Sequence, residues 1–219
     1  MQLFCRVRVF WEFLLSTAFH QFFLFKISNH ESLLLGAALF FGISFSAVAQ
    51  IQSAKLKADG LTCSMCSKSI YKALEKISFV DNIDANVETS VFTITFKKGQ
   101  AVSPDRIAKA VTDAGFAVGQ LELTADLPAD ATGGKDAHIA FGGATYHLLN
   151  APEGSVAGEH TLVLADKAFL NAADRVPYSK MTDMPCFETG KMGACCADHK
   201  ELGKTKGKAS ERVYHVVLN

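Results

Sequence analysis

Two cysteines separated by two residues, Cys63 and Cys66, carry the clearest chemistry in this sequence. They lie in Gly60-Leu61-Thr62-Cys63-Ser64-Met65-Cys66, after an alternating segment, Ile51 to Ala58, and before a helix-competent one, Ser67 to Ile77. A helix starting near Cys66 would leave Cys63 in the preceding loop and put Cys66 in the first turn. Unpaired backbone N–H groups and the positive end of the helix dipole favour thiolate over thiol there. A thiolate pair on one small loop suits a soft cation of low coordination number, Cu(I) first, with Zn(II) or Hg(II) as competitors. The same spacing also serves disulfide and redox motifs, and spacing by itself does not separate the two uses. Met65 stands between the cysteines, but a thioether is a weaker ligand than either thiolate, so it reads as an exposed loop position. Lys68 and Lys72 read as a solvated helix face.

Soft side chains recur between Ser179 and Ser210: Met181, Met184, Cys186, Met192, Cys195, Cys196 and His199, ahead of a Gly/Lys tract from Gly203 to Lys208. Cys186, Cys195, Cys196 and His199 form a candidate second metal set, with a compact disulfide from Cys186 to Cys195 or Cys196 as the alternative. The spacing matches no zinc pattern. His138, His147, His160 and His215 fall in or near strand-like stretches, and each taken singly reads as a surface strand residue and not a ligand.

The elements that must position the first pair follow from periodicity. Ala54, Leu56 and Ala58 alternate on one face of a strand. Ile70, Ala73, Leu74 and Ile77 form one stripe of a helix, with Lys68, Lys72, Glu75 and Lys76 outside. Ile83, Ala85 and Val87 alternate again; Glu88-Thr89-Ser90 turns, and Phe92, Ile94 and Phe96 line a third strand. Ser103 and Pro104 mark a second helix start, with Ile107, Ala108, Val111 and Ala114 as its stripe and Gly115 as its stop. Phe116 to Leu123 reads as the last strand. The order β-α-β-β-α-β is the ferredoxin-like arrangement, an α+β class.

With these elements in place, Gly-Leu-Thr-Cys-Ser-Met-Cys resembles the Gly-Met-Thr-Cys-x-x-Cys loop of heavy-metal-associated domains, and the likeness runs from about Gln52 to Leu123. That family includes copper chaperones, copper-ATPase amino-terminal modules and periplasmic mercury-binding proteins. Leu61 replaces the usual Met, an apolar exchange that should still anchor the loop. Phe116 stands where bacterial members often carry Tyr, and offers no hydroxyl. Neither departure removes a ligand. The resemblance implies Cys63 and Cys66 as the metal ligands and a metal-donor or metal-acceptor protein as partner.

The wider chain sets limits. It has 219 residues, 22 basic and 22 acidic, for a formal net charge of zero, and 49% of its residues are hydrophobic. That length supports one large or two small cores. Zero net charge, with no basic run carrying interleaved aromatics, gives no support for a nucleic-acid partner. Neither the full Gly-x-x-x-x-Gly-Lys-Ser/Thr phosphate-binding loop, a dinucleotide fingerprint nor a His-Glu-x-x-His pair occurs. Leu33 to Ala47 is an uncharged apolar run of roughly 15 residues followed by Ala47-Val48-Ala49, the pattern of an export signal cleaved before Gln50. An uncleaved membrane anchor is the alternative, and the Phe-rich Met1 to Ile27 reads as an over-long start.

The expected organisation is therefore 1–49 targeting, 50–123 metal domain, 124–135 linker and 136–219 a β-rich domain, a barrel or sandwich. Its strands are expected at 138–141, 144–149, 160–164 and 212–218. Removal of Cys5 with the signal would leave five of the six cysteines in an oxidising compartment. An odd number cannot all pair within one molecule, which favours metal binding at some of them. The sequence thus reads as a periplasmic or secreted heavy-metal-binding protein and not an enzyme, with a mercury scavenger as a variant. A thiol–disulfide oxidoreductase is the rival. No Trp precedes the pair, however: the single Trp is Trp11.

Overall fold

The computed structural model describes residues 50–193 and 211–219. The apolar segment and cleavage pattern of 1–49, together with Cys195, Cys196 and His199, lie outside the described residues. Among the described residues no helix is long and apolar enough to cross a membrane.

The first half follows the expected order. Strand β1 (Gln50–Asp59) leads to helix α1 (Ser64–Glu75), strands β2 (Val80–Asn86) and β3 (Val91–Phe96), helix α2 (Pro104–Asp113) and strand β4 (Ala117–Leu127). Strand β1 pairs antiparallel with β3 on one side and β4 on the other, and β2 borders β3. The helices bury Ile70, Leu74, Ile107 and Val111 against Leu56, Phe92, Ile94, Leu121 and Leu123, all at most 1% exposed. Period-2 and period-3.6 stripes meet here because each element has one solvated side. Two local details differ from expectation. Val87 lies beyond β2 and is 54% exposed. Ser103 occupies the cap position of α2, yet its hydroxyl makes no capping bond, and Pro104 at the first turn supplies the start instead.

The second half forms neither a barrel nor a separate sandwich. It comprises β5 (Thr132–Gly133), β6 (Ala137–Phe141), β7 (Ala144–Leu148), β8 (Gly154–Ser155), β9 (Gly158–Leu164), the short helices α3 (Ala172–Arg175) and α4 (Cys186–Thr189), and β10 (Val213–Leu218). A single eight-stranded sheet runs in the order β2-β3-β1-β4-β9-β10-β7-β6. Strand β4 would be an open edge of the first half, and β9 takes up its unpaired backbone groups from Glu122 to Leu127. The stretch expected as a linker is thus strand up to Leu127. Strand β10 returns between β9 and β7, antiparallel to the former and parallel to the latter. Gly142 and Gly143, with φ of 59° and 85°, make the two-residue turn between β6 and β7, a conformation other L-residues adopt at a cost.

Both faces of β7 and β10 are covered. Tyr146, Leu148, Tyr214 and Val216 join the core that contains the two long helices. Leu149, Val163 and Val217 on the other face pack under Ala165, Leu170 and Phe187 from the irregular segment after β9.

Candidate metal centre

Cys63 is the N-cap of α1 in extended conformation (φ −154°, ψ 162°), and Cys66 is the third helical residue. The Cys66 N–H donates to the Cys63 carbonyl at 3.0 Å, closing the first turn. Gly60, with φ of 84°, turns the chain out of β1, and Leu61 packs half-buried against the main core. The apolar anchor survives the change from Met. Phe116 is also half-buried against that core. Met65 is 65% exposed, as a loop position should be.

The two sulfurs lie 3.1 Å apart and form no disulfide. A disulfide would bring them to about 2.05 Å. The hydrogen bond with Cys63 lowers the Cys66 pKa, aided by the Thr62 backbone, against a smaller opposing effect of burial. Cys63 is exposed and Cys66 partly so. The pair therefore presents two unbridged sulfurs at the surface, within reach of a cation or an incoming thiol.

A family description for the heavy-metal-associated domain matches residues 55–117. The mercuric transport protein periplasmic component of Alcaligenes sp is 34% identical over 83 residues, 36% of this chain and 90% of the relative. The chain belongs to the heavy-metal-associated domain family. The corresponding protein of Pseudomonas aeruginosa is 31% identical over the same shares. Among solved structures, oxidised MerP of Ralstonia metallidurans CH34 is 32% identical, covering 32% of this chain and 97% of that one, with a TM-score of 0.28.

Beyond the heavy-metal-associated domain, Cys186 is the one member of the expected second set that lies among the described residues. It opens α4 after Pro185 and is 1% exposed, packed with Met192 and Val213 and bordered by Met184. Its sulfur lies 3.5 Å from His215 Nε2 and 3.8 Å from His147 Nδ1. Met181 is 38% exposed on the surface.

The histidines require a correction. His138, His147 and His215 are not surface strand residues: all three are 0% exposed. His138 pairs across β6 and β7 with His147, and His147 pairs across β7 and β10 with His215, so the three form one row. His160 lies on β9 away from this row, opposite Ala125. Sequence periodicity missed the row because the face that carries it is solvated in an isolated sheet and, among the described residues, is covered here by the segment around Phe187. One signal was available: three histidines, each one strand position from a large apolar residue, in strands with almost no polar side.

Proposed function

We propose that the chain carries a soft heavy-metal cation on Cys63 and Cys66 and exchanges it with a thiol-bearing donor or acceptor protein outside the cytoplasm. The observation that supports this is the unbridged, surface-facing thiol pair at the start of α1, in a heavy-metal-associated domain. Transfer proceeds by ligand exchange: an incoming thiolate joins the metal, and one resident sulfur then leaves. Exposed Cys63, on the cap and outside the helix, is the residue free to swing during this step. Both thiolates prefer soft, two-coordinate cations over hard ones, so Hg(II) and Cu(I) rank ahead of Zn(II) at such a site.

The relatives from Alcaligenes sp and Pseudomonas aeruginosa are periplasmic components of mercuric transport, which supports Hg(II) as cargo and the periplasm as location. Cu(I) is the second reading, because the relative from Alcaligenes sp matches only 36% of this chain and leaves the rest without a mercuric counterpart. Competition decides between them. The reduced full chain is offered Hg(II) and Cu(I) separately in the presence of excess glutathione, beside the double variant C63S/C66S. Retention of one cation by the parent and not by the variant supports the reading and names the cargo. Equal retention by both chains contradicts it. Rapid catalytic turnover of a reduced dithiol substrate by Cys63 and Cys66 would bring the oxidoreductase reading forward instead.

A further inference from the structure

We propose that His138, His147 and Cys186, with His215 beside the sulfur, form a second, buried metal site for a borderline cation of the zinc class. One potential ligand atom from each of the first three residues lies within 4.8 Å of the others, and all are buried. The site is built by register: the His138–His147–His215 row crosses three neighbouring strands, and α4 lowers Cys186 onto it.

The outer partners fix which nitrogen faces inward. His138 Nδ1 lies 2.9 Å from the Asp136 carbonyl, and His147 Nε2 lies 3.0 Å from the Asp136 carboxylate. His215 Nδ1 lies 2.8 Å from Asp166 Oδ1, while the other Asp166 oxygen accepts the His215 backbone N–H at 3.0 Å. An oxygen acceptor at each of these nitrogens assigns it the ring proton and leaves the lone pair on His138 Nε2, His147 Nδ1 and His215 Nε2. Carboxylate and carbonyl partners of this kind orient imidazole ligands in metal sites. Asp136 serves two rings from one residue, and it does so in the left-handed conformation, φ 57°, that non-glycine residues seldom take.

Two imidazole nitrogens approach the Cys186 sulfur from different strands. A tetrahedral ion about 2.0–2.1 Å from nitrogen and about 2.3 Å from sulfur spaces a sulfur and a nitrogen ligand roughly 3.6 Å apart. The observed separations of 3.5 Å and 3.8 Å bracket that value. Mixed thiolate and imidazole ligands suit zinc and its neighbours. Binding replaces the thiol proton by the metal, and that proton leaves to solvent, so affinity weakens as pH is lowered. Cys186, His215 and Asp166 also have the order of a nucleophile, base and orienting acid. Exposures of 1%, 0% and 4% leave no room for a substrate at the sulfur. The buried site thus differs in kind from the exchangeable pair at Cys63 and Cys66.

The test uses the full chain with Cys5, Cys63, Cys66, Cys195 and Cys196 all changed to Ser, so that Cys186 is its only thiol. It is loaded without oxygen with Co(II) or Zn(II). Expected are one bound ion, a thiolate-to-cobalt charge-transfer band with tetrahedral ligand-field absorption, and a raised Tm with Zn(II). Zinc-edge X-ray absorption should then show one sulfur with imidazole neighbours, a readout that needs no histidine variant. H138Q or H147Q should weaken binding at least tenfold. No bound ion, a sulfur-free shell, or fast alkylation of Cys186 in the folded, zinc-loaded chain would overturn the proposal.

Discussion

Arg212 grips Asp105 with two nitrogens, Nε to Oδ2 at 3.1 Å and Nη2 to Oδ1 at 3.3 Å. Asp105 lies in the first turn of α2, and Arg212 stands just before β10, so the pair joins the heavy-metal-associated half to the end of the chain. Tyr214 adds its hydroxyl to the same carboxylate at 3.1 Å, and its ring lies under the Arg212 guanidinium at 4.3 Å. Arg212 also donates to the Gly190 and Val213 carbonyls, which ties down the segment carrying Cys186.

Removing the carboxylate should therefore be felt away from α2. Asp105→Ala is expected to destabilise the chain by about 1–2 kcal/mol, since charged hydrogen bonds contribute about 1.5–3 and the pair is partly screened by solvent. Urea denaturation reads this directly. Amide exchange should quicken in β10 as well as in α2, and quickening confined to α2 would show that the link carries no coupling.

Leu123 is fully buried on β4, the strand that both halves share. Leu123→Ala should cost about 2–5 kcal/mol, the range for truncating a buried leucine. Because one sheet runs through both halves, tyrosine fluorescence and far-ultraviolet circular dichroism should report a single shifted transition. Two separated transitions would mean that the halves unfold independently.

The pH behaviour of the metal-free thiol pair follows from the hydrogen bond between its members. A lowered Cys66 pKa keeps the thiolate present to a lower pH than an ordinary thiol allows, and the largest cause is Cys63. Alkylation of Cys66 by iodoacetamide, followed by peptide mass spectrometry, should reach half its limiting rate below the free-cysteine value of about 8.5. In C63S that midpoint should move upward. An unchanged midpoint would show that Cys63 does not stabilise the thiolate.

The first half of this fold is legible in the sequence because every element keeps one wet side. Leu56, Ile70, Phe92 and Ile107 announce their strands and helices by period alone, and all are buried as that period requires. The loop of Cys63 and Cys66 is legible for a different reason, since both cysteines and the helix start sit within a few residues. The second half offers neither cue. Its strands were visible at 138–141, 144–149, 160–164 and 212–218, but their joining to β4 was not. Pairing of β9 with β4 and the parallel pairing of β10 with β7 are long-range choices that leave little local trace. The His138, His147 and His215 row exists only through those pairings, so each histidine alone looked ordinary.

The central claim rests on Cys63 and Cys66 holding one soft cation. An anaerobic Cu(I) titration of the reduced full chain against a competing chelator, run beside C63S/C66S, tests it most directly. The parent should take up one tightly held equivalent more than the variant. The same number of equivalents at the same affinity in both chains would contradict the assignment.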